Sequence, residues 1–300
     1  MKWNIYGYPK LNGSGLGNLL WIWAKCFVWC KDNDAKLITP SWLQFHPNRI
    51  IGRNPDLRLY WCYFMNRGYI NGPEKYYRLW KHRTISADDA EKKKIRNFSC
   101  IVVFSELGSF TPLIGRHKEV YDELIRITNP RFILPSKTFP FVAMHIRRGD
   151  FEKGTAEQLY RGETNLQVPL EWYIASLRAL RDAIGFSFKV IIFSDGSNDE
   201  IVHLLKEPNV ERSNDKNALR DLFLMSSAAG LIASRSSFSL WASYLGQIPA
   251  LYHRGAKPWH EGVIHTKPAG SLEPEWEESF PLPVTFTAAV SSRLTVDKNL

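Results

Sequence analysis

A histidine, two adjacent arginines and an aspartate follow directly on a short apolar run near the middle of the chain. The stretch reads Phe139-Pro-Phe-Val-Ala-Met-His145-Ile-Arg147-Arg148-Gly149-Asp150. Its apolar part is typical of a buried strand, and such a strand would present the polar side chains at its end. Arginine suits a diphosphate because its planar fork donates two parallel hydrogen bonds and its charge is not lost by titration. The spacing therefore indicates a site for a polyanion.

Two simpler explanations of the same residues were weighed. The arginines could form surface ion pairs with Asp150 and Glu152, and this alternative stays open. The tripeptide Arg148-Gly149-Asp150 could serve in adhesion, but three-residue matches arise by chance, and this one begins at a predicted strand end. Adhesion is therefore disfavoured.

The second half of the chain predicts the regular alternation of elements that would position such a site. One predicted strand ends at His145, and three more span 188–193, 230–233 and 249–252. The predicted helices span 169–184, 198–206, 216–227 and 238–245. This alternation is typical of a parallel sheet covered on both faces. Ligands of such sheets bind at the carboxyl ends of the strands.

More polar residues follow these predicted strands. Asp195 comes after one strand, where it could accept hydrogen bonds from a guanine base or cap the next turn. Ser236 and Ser237 precede a predicted helix, where they could bind a phosphate or form an ordinary N-cap. Because all of these positions would share one edge with His145 and Arg147, a site for guanosine diphosphate is favoured.

The first half begins with a predicted strand over residues 3–8, then a glycine-rich turn and a predicted helix over 19–31. The turn contains Gly13, Gly15, Gly17 and Asn18, and helix-start N–H groups there could bind an anion or a hydroxyl-rich ligand. The glycine spacing is not GxGxxG, and no acid ends the next predicted strand, 35–39, so NAD binding is disfavoured.

The rest of the first half is less regular. It holds a further predicted strand, 99–105, and a predicted helix, 116–128. Residues 41–83 are left unassigned. Their aromatic and basic side chains are typical either of a loop-rich region or of a surface that binds sugars.

Composition bounds the class of protein. A chain of 300 residues with 44% hydrophobic and 23% charged residues predicts about two globular domains. The net charge of +9 favours anionic partners. The four cysteines form no CxxC pair, and the chain shows no signal-like N-terminus and no long apolar run, so we expect a cytoplasmic protein. The basic excess and 11 tryptophans would permit peripheral contact with a membrane.

Four motifs in the same order resemble one enzyme family. His145-x-Arg147-Arg148-x-Asp150 resembles the HxRRxD motif of GDP-fucose-dependent fucosyltransferases, and the whole chain is most similar to bacterial α-1,2-fucosyltransferases of glycosyltransferase family 11. The other similar segments are Gly15-Leu16-Gly17-Asn18, Phe193-Ser194-Asp195, and Asp221 to Ser226 followed by Ala233 to Ala242. This chain departs from the family pattern at Leu19, Gly196, Arg235 and Leu240.

The resemblance implies an α/β fold of the GT-B type, with two Rossmann-like domains facing across a cleft. Residues 1–135 would form the acceptor-side domain and residues 136–300 the GDP-sugar-binding domain, with the last residues returning to the first domain. The implied donor-binding residues are His145, Arg147, Arg148, Asp195, Ser236 and Ser237. The implied catalytic residues are Arg147 and Asp150, and Gly15, Gly17 and Asn18 would line the cleft on the acceptor side.

The implied reaction is inverting, metal-independent transfer of L-fucose from GDP-fucose to a hydroxyl of a glycan acceptor, with galactose and an α-1,2 linkage expected, in surface polysaccharide synthesis. No cofactor is implied. The catalytic base stays open between Asp150, Glu152, Glu163 and none. A non-catalytic protein that binds GDP-sugars or glycans is an alternative, as is a transferase using another GDP-sugar. Nucleic-acid binding ranks last because no RNA-binding aromatic motif is present.

Overall fold

The protein consists of two compact units, Met1–Ile133 and Leu134–Leu300. The computed structural model describes residues 4–12, 15–43, 60–93, 99–108, 110–133, 139–161, 163, 165–215, 217–253 and 282–296. The domain boundary expected from the sequence, between residues 135 and 136, lies outside the described residues and next to the division between the two units.

The first unit contains a parallel sheet of four strands in the order β2-β1-β4-β3. Its elements are β1 (Ile5–Pro9), α1 (Leu16–Asp32), β2 (Lys36–Leu37), α2 (Gly72–Lys81), β3 (Arg83–Ser86), α3 (Ala87–Lys93), β4 (Cys100–Phe104) and α4 (His117–Ile127), with short 3-10 turns at Trp61–Tyr63, Thr111–Leu113 and Pro130–Phe132.

Helix α1 is the buried helix of this unit. It begins three residues earlier than the predicted start at Leu19, and most of its side chains are buried. A Cβ on Gly7 of β1 would lie 2.3 Å from Cys30 Sγ and 2.8 Å from Cys26 Sγ, so only glycine permits this close approach of strand and helix. The helix therefore packs directly behind the strand whose end carries the glycine-rich turn.

The sequence did not predict α2 or β3, which belong to the unassigned stretch 41–83 and its border. Helix α2 buries none of its side chains completely, and β3 lies at the edge of the sheet with only Ile85 partly buried. Helix α2 carries apolar residues at helical spacing, Tyr76, Leu79 and Trp80, but Tyr76 and Trp80 are exposed. Strand β3 lacks the apolar alternation of a buried strand.

The second unit contains a parallel sheet of five strands in the order β7-β6-β5-β8-β9. Its elements are β5 (Phe141–Ile146), α5 (Ala156–Tyr160), α6 (Leu170–Ile184), β6 (Lys189–Ser194), α7 (Val202–Leu205), β7 (Val210–Arg212), α8 (Ala218–Ser226), β8 (Gly230–Ala233), α9 (Ser237–Gly246), β9 (Ala250–Tyr252) and α10 (Val284–Val296), with a 3-10 turn at Asp199–Ile201. All six residues of the central strand β5 are buried.

Helix α10 completes the core of the second unit. Phe286, Val290 and Leu294 belong to the apolar cluster under the sheet, and a Cβ on Gly230 would lie 2.6 Å from Val290 Cγ2. The expectation that the last residues return to the first unit does not hold for this helix, because its apolar side chains are buried against α6 and β8. Residues 254–281 and 297–300 lie outside the described residues.

The predicted α/β class with two Rossmann-like units is confirmed by the two parallel sheets, one in each unit. Within the described residues no helix combines the length and the apolar character needed to cross a membrane. All four cysteines are free thiols.

Candidate active site at the carboxyl edge of the second sheet

The carboxyl ends of β5, β6 and β8 bring most of the predicted site residues to one edge. These strands are neighbours, with β5 between β6 and β8, and the register pairs Ile146 of β5 with Ser194 of β6. The motif at 145–150, Asp195 and the segment 234–237 therefore follow adjacent parallel strands. The sheet topology thus brings together positions that are up to 92 residues apart in sequence, from 145 to 237.

The Arg147 guanidinium lies between two carboxylates. Its Nη1 is 2.9 Å from Asp195 Oδ2, and its Nη2 donates to Asp150 Oδ1. The guanidinium also lies over the ring of Phe151, 5.0 Å from the centroid. About a quarter of the side chain is exposed, 26%, so this cation is held in place and still open to a ligand. The surface ion pair that the sequence left open is therefore present, together with a second and less exposed partner.

Asp195 also binds the backbone of the motif. Its Oδ1 accepts a hydrogen bond of 2.8 Å from the Arg148 N–H, so one carboxylate fixes both the Arg147 side chain and the next peptide. A Cβ on Gly196 would lie 2.9 Å from Arg148 Cβ, and glycine alone allows the two turns to approach.

Arg148 is buried, with 7% of its surface exposed. Its Nη1 donates to Gln167 Oε1 at 2.7 Å, and the Gln167 amide donates to the carbonyl oxygens of Arg148 and Phe151 at 3.1 and 2.7 Å. The Nε and Nη2 groups of Arg148 have no hydrogen-bond partner among the described residues. Arg148 therefore supports the turn from within, whereas Arg147 faces outward.

His145 forms a buried cluster with two serines. Its Nδ1 lies 2.6 Å from Ser239 Oγ and 2.9 Å from Ser234 Oγ, and the two hydroxyls are 3.1 Å apart. Burial, with a smaller effect of the nearby Arg147 charge, lowers the pKa of His145 to about 3. The imidazole is therefore neutral at pH 7. Its hydrogen bonds connect the end of β5 to the first turn of α9. Because it is neutral, it provides no positive charge for binding a phosphate.

Ser236 is the N-cap of α9. Its Oγ accepts hydrogen bonds from the N–H groups of Phe238 and Ser239 at 3.2 and 3.4 Å, and Ser237 is the first helical residue. The N-cap explanation is thus correct for Ser236, and it is compatible with anion binding because the Ser236 hydroxyl keeps its own proton to donate. Arg235 is buried and donates through Nη1 to the Glu163 carbonyl oxygen.

Of the three candidate bases, Asp150 ends the motif, and Glu152 and Glu163 lie on the segment that follows it. The Asp150 carboxylate is half exposed and bound by Arg147. Glu152 is exposed, and its backbone pairs with Asn165 and Gln167. The Glu163 carboxylate accepts from Gln158 Nε2 at 3.1 Å. None of these contacts selects one carboxylate as the base.

In the first unit, the predicted acceptor-side residues lie at the start of α1. Gly15 is the N-cap residue, and its carbonyl oxygen accepts hydrogen bonds from Asn18 and Leu19 at 3.0 and 3.2 Å. Gly17 is buried. The Asn18 Oδ1 atom is buried and has no hydrogen-bond partner among the described residues. The turn thus presents one polar group whose bonding capacity is unused.

Sequence reasoning missed two side chains that hold the site together. Gln167 belongs to no predicted site, although it holds the 148–151 turn. Arg212, at the end of the unpredicted edge strand β7, donates to the carbonyl oxygens of Ser194 and Gly196 at 2.9 and 2.6 Å. It thereby fixes the turn that carries Asp195. Because β7 is not predicted, no local pattern marks Arg212, and nothing marks Gln167.

Asp221 and Ser213 form a second polar contact near the same edge. The Ser213 hydroxyl donates to Asp221 Oδ1 at 2.7 Å, and burial raises the pKa of Asp221 to about 7, with the Ser213 hydrogen bond opposing the shift. The folded form therefore binds a proton between pH 4 and 7 that the unfolded chain, with a pKa of about 3.9, does not bind.

It follows that this carboxyl group lowers the stability as the pH rises through that range. Between pH 4 and 8, the free energy of unfolding should fall by about 2 kcal/mol less in Asp221→Asn than in wild type. This figure allows for the partial exposure of the carboxyl group. Urea unfolding of both proteins across this range measures the difference. Asp182→Asn, which changes a carboxylate on the helix α6, serves as the control. Parallel pH profiles for Asp221→Asn and wild type would contradict the assignment.

Among the described residues, no group of three or more histidine, cysteine, aspartate or glutamate side chains is arranged to hold a metal ion. The stabilisation available for an anion at this edge is the Arg147 guanidinium together with the start of α9.

A site of arginines and helix-start serines at the carboxyl edge of a parallel sheet defines an anion-binding α/β enzyme. The model of Glycosyl transferase family 11 matches residues 116–276, which is more than half of the chain. The chain belongs to this family, and it is a glycosyltransferase.

Several solved structures are similar to the chain. NodZ α-1,6-fucosyltransferase co-crystallised with GDP has a TM-score of 0.48 and 15% identity, with 84% of this chain and 96% of that chain covered. A variant of Arabidopsis thaliana FUT1 in complex with GDP has a TM-score of 0.48, 12% identity and coverages of 84% and 70%. POFUT1 in complex with GDP has a TM-score of 0.46, 14% identity and coverages of 83% and 98%. A comparison with proteins of curated function finds no match. The family assignment therefore rests on the family model.

Proposed function

We propose that the protein transfers L-fucose from GDP-fucose to a hydroxyl group of a glycan, with inversion at the anomeric carbon and without a metal ion. The observation that carries the proposal is the Arg147 guanidinium, fixed by Asp195 and Asp150 at the carboxyl edge of the sheet in a chain of this family. Galactose is the proposed acceptor sugar, and α-1,2 is the proposed linkage.

The chemistry of the reaction explains why a fixed arginine suits this position. When GDP leaves, negative charge develops on its β-phosphate while the fucosyl group acquires oxocarbenium character. A guanidinium that is already oriented stabilises this charge more in the transition state than in the ground state, and it needs no rearrangement to do so. Arg147 would therefore contact the β-phosphate, and its two carboxylate partners keep it oriented before the donor binds.

The start of α9 would bind the remaining phosphate oxygens. The Ser236 hydroxyl and the Ser237 side chain lie where the positive end of the helix dipole favours an anion. Asp195 orients the two arginines, and His145 holds the segment that carries these serines. Contacts of His145 and Asp195 with the nucleoside stay predictions.

The acceptor side of the reaction is proposed on fewer contacts. Gly15, Gly17 and Asn18 would contribute to acceptor binding, with the unused Asn18 oxygen accepting a hydrogen bond from a sugar hydroxyl. An acceptor hydroxyl that used Asp150 as its base would share this carboxylate with Arg147. Late transfer of the proton to phosphate or solvent is the alternative.

Calorimetric titration tests the donor site directly. With EDTA present, we expect GDP and GDP-fucose to bind wild type and GDP-mannose, UDP-galactose and NAD to bind far more weakly. Arg147→Ala should weaken GDP binding at least about tenfold, because a charged bidentate contact is lost. Arg178→Ala is the matched control, since Arg178 is an exposed arginine of the same unit that also forms an ion pair, with Glu207.

Two outcomes would change the proposal. Equal binding of all five ligands would refute a guanosine diphosphate site. If the protein preferred another GDP-sugar, the proposed guanosine diphosphate site would stand, and that sugar would take the place of fucose in the proposed reaction. Once the donor is established, NMR spectra of products from galactose-terminated oligosaccharides determine the linkage.

A further inference from the structure

The turn that carries the proposed β-phosphate ligand is held by a side chain from outside the motif. After β5 ends, the Phe151 N–H donates to the Arg148 carbonyl oxygen at 3.1 Å and closes a tight turn. The following segment returns to the turn at residues 165–167. There the Glu152 N–H donates to the Asn165 carbonyl oxygen at 2.8 Å, and the Gln167 N–H donates to the Glu152 carbonyl oxygen at 2.9 Å. This backbone pairing delivers the Gln167 side chain to the turn.

The Gln167 amide makes three hydrogen bonds there. Its Nε2 donates to the carbonyl oxygens of Arg148 and Phe151 at 3.1 and 2.7 Å, and its Oε1 accepts from Arg148 Nη1 at 2.7 Å. Two carbonyl acceptors need the NH₂ group and a guanidinium needs the oxygen, so this network determines the orientation of the amide. One neutral side chain thus binds both ends of the turn and the buried arginine within it.

These bonds surround Arg147. The backbone of the next residue, Arg148, is held on both sides, by Asp195 at its N–H and by Gln167 at its carbonyl oxygen. Phe151, whose ring lies against the Arg147 guanidinium at 5.0 Å, is held by Gln167 at its carbonyl oxygen. The direction of the guanidinium therefore depends on a backbone that Gln167 fixes.

We propose that Gln167 is a positioning residue for Arg147: it holds the 148–151 turn so that the guanidinium meets the β-phosphate of a nucleoside diphosphate. The inference rests on the proposed function, because it assigns Arg147 to that phosphate. A displacement of about 1 Å at a charged contact of this kind costs as much as a hundredfold in rate. The interaction that a displaced Arg147 would lose is the one with the β-phosphate.

The affinities for GMP and GDP separate positioning from a general structural role. GMP lacks the β-phosphate, so the dissociation constant for GMP divided by that for GDP measures what this phosphate contributes to binding. We expect Gln167→Leu to lower this ratio at least about fivefold and to change the GMP affinity less than twofold, because the nucleoside and the first phosphate keep their contacts. Gln167→Glu should act in the same direction, since it replaces the amide donors by a carboxylate oxygen facing two carbonyl groups.

The control and the double-mutant cycle make the test specific. Gln158→Leu removes a glutamine from the same segment, where it forms the capping box of α5, and should leave the ratio within twofold of wild type. In the Arg147→Ala background, Gln167→Leu should no longer lower the ratio, because the residue through which it acts is absent.

The possible outcomes are distinct. Equal weakening of GMP and GDP, an unchanged ratio, or the same drop with Arg147 absent would overturn the role of Gln167 and leave the donor site intact. If wild type itself shows no preference for GDP over GMP, the proposed function fails, and the role of Gln167 fails with it. A fall of the ratio that depends on Arg147 supports both.

Discussion

Replacing Arg147 by alanine is expected to lower kcat for fucosyl transfer about a thousandfold. The guanidinium is the cation that two carboxylates hold in place while about a quarter of it stays open to a ligand. Its removal leaves the β-phosphate charge of the transition state without this partner. Arg147→Lys keeps a charge but loses the planar fork, and should recover only part of the activity. Initial rates with GDP-fucose and a galactose-terminated acceptor measure both effects.

Stability and chemistry have to be separated in this experiment. Because the Arg147 side chain is partly exposed, its loss should shift the unfolding midpoint only slightly, whereas kcat falls steeply. Arg178→Ala should leave both quantities near those of wild type, since Arg178 is exposed and remote from the motif in sequence, and its partner Glu207 keeps the ion pair with Arg181. Retention of more than a tenth of wild-type kcat by Arg147→Ala would refute the mechanism.

The buried His145 should make the protein sensitive to acid. Its pKa lies near 3 in the folded state because of burial and the Arg147 charge, against about 6.5 in the unfolded chain. Between these values the unfolded chain binds a proton that the folded protein does not, so stability falls as the pH falls from 6.5 towards 3. The expected slope is about 1.4 kcal/mol per pH unit from this residue, or roughly 5 kcal/mol in all.

A histidine variant isolates this contribution. Asn in place of His145 can still meet the hydroxyls of Ser234 and Ser239 but does not titrate, so His145→Asn should be less stable at pH 7 and lose less stability on acidification. His203→Asn, at an exposed histidine of the same unit, should keep the wild-type slope. Asp221 contributes with the opposite sign above pH 4, and the comparison of His145→Asn with wild type removes its effect. Equal slopes for these two proteins would show that His145 is not the acid-sensitive group.

Much of the second unit follows from local sequence patterns. The strands that surround the site are short apolar runs bounded by glycine, proline and polar residues, and the predicted strand ending at His145 lies within one residue of the observed end at Ile146. The helix predicted from Pro169 to Ile184 begins at Leu170 and ends at Ile184, and its C-cap residue is Gly185, whose φ of +74° favours glycine. Such signals are local, because burial on both faces of a parallel sheet selects apolar residues along each element.

Two of the four edge strands, β3 and β7, escaped prediction for the corresponding reason. β3 and β7 lie at the edges of their sheets and are mostly exposed or half buried, so their residues are not selected for burial. α10 was missed because its apolar residues follow a long stretch without recognisable motifs, and its packing partners α6 and β8 lie far away in sequence. Only the tertiary structure shows that Phe286 and Val290 are part of the core of the second unit.

By itself, the sequence determined which residue types meet at the site. The motif at 145–150, Asp195 and Ser236 each follow a strand, and parallel strands place their carboxyl ends at one edge. The tertiary structure decided which partners these residues have: Asp195 binds the arginines, His145 binds two buried serines, and Gln167 holds the turn. The reason is physical, since strand and helix formation depends on neighbours within a few residues, whereas these hydrogen bonds join groups brought together only when the sheet assembles.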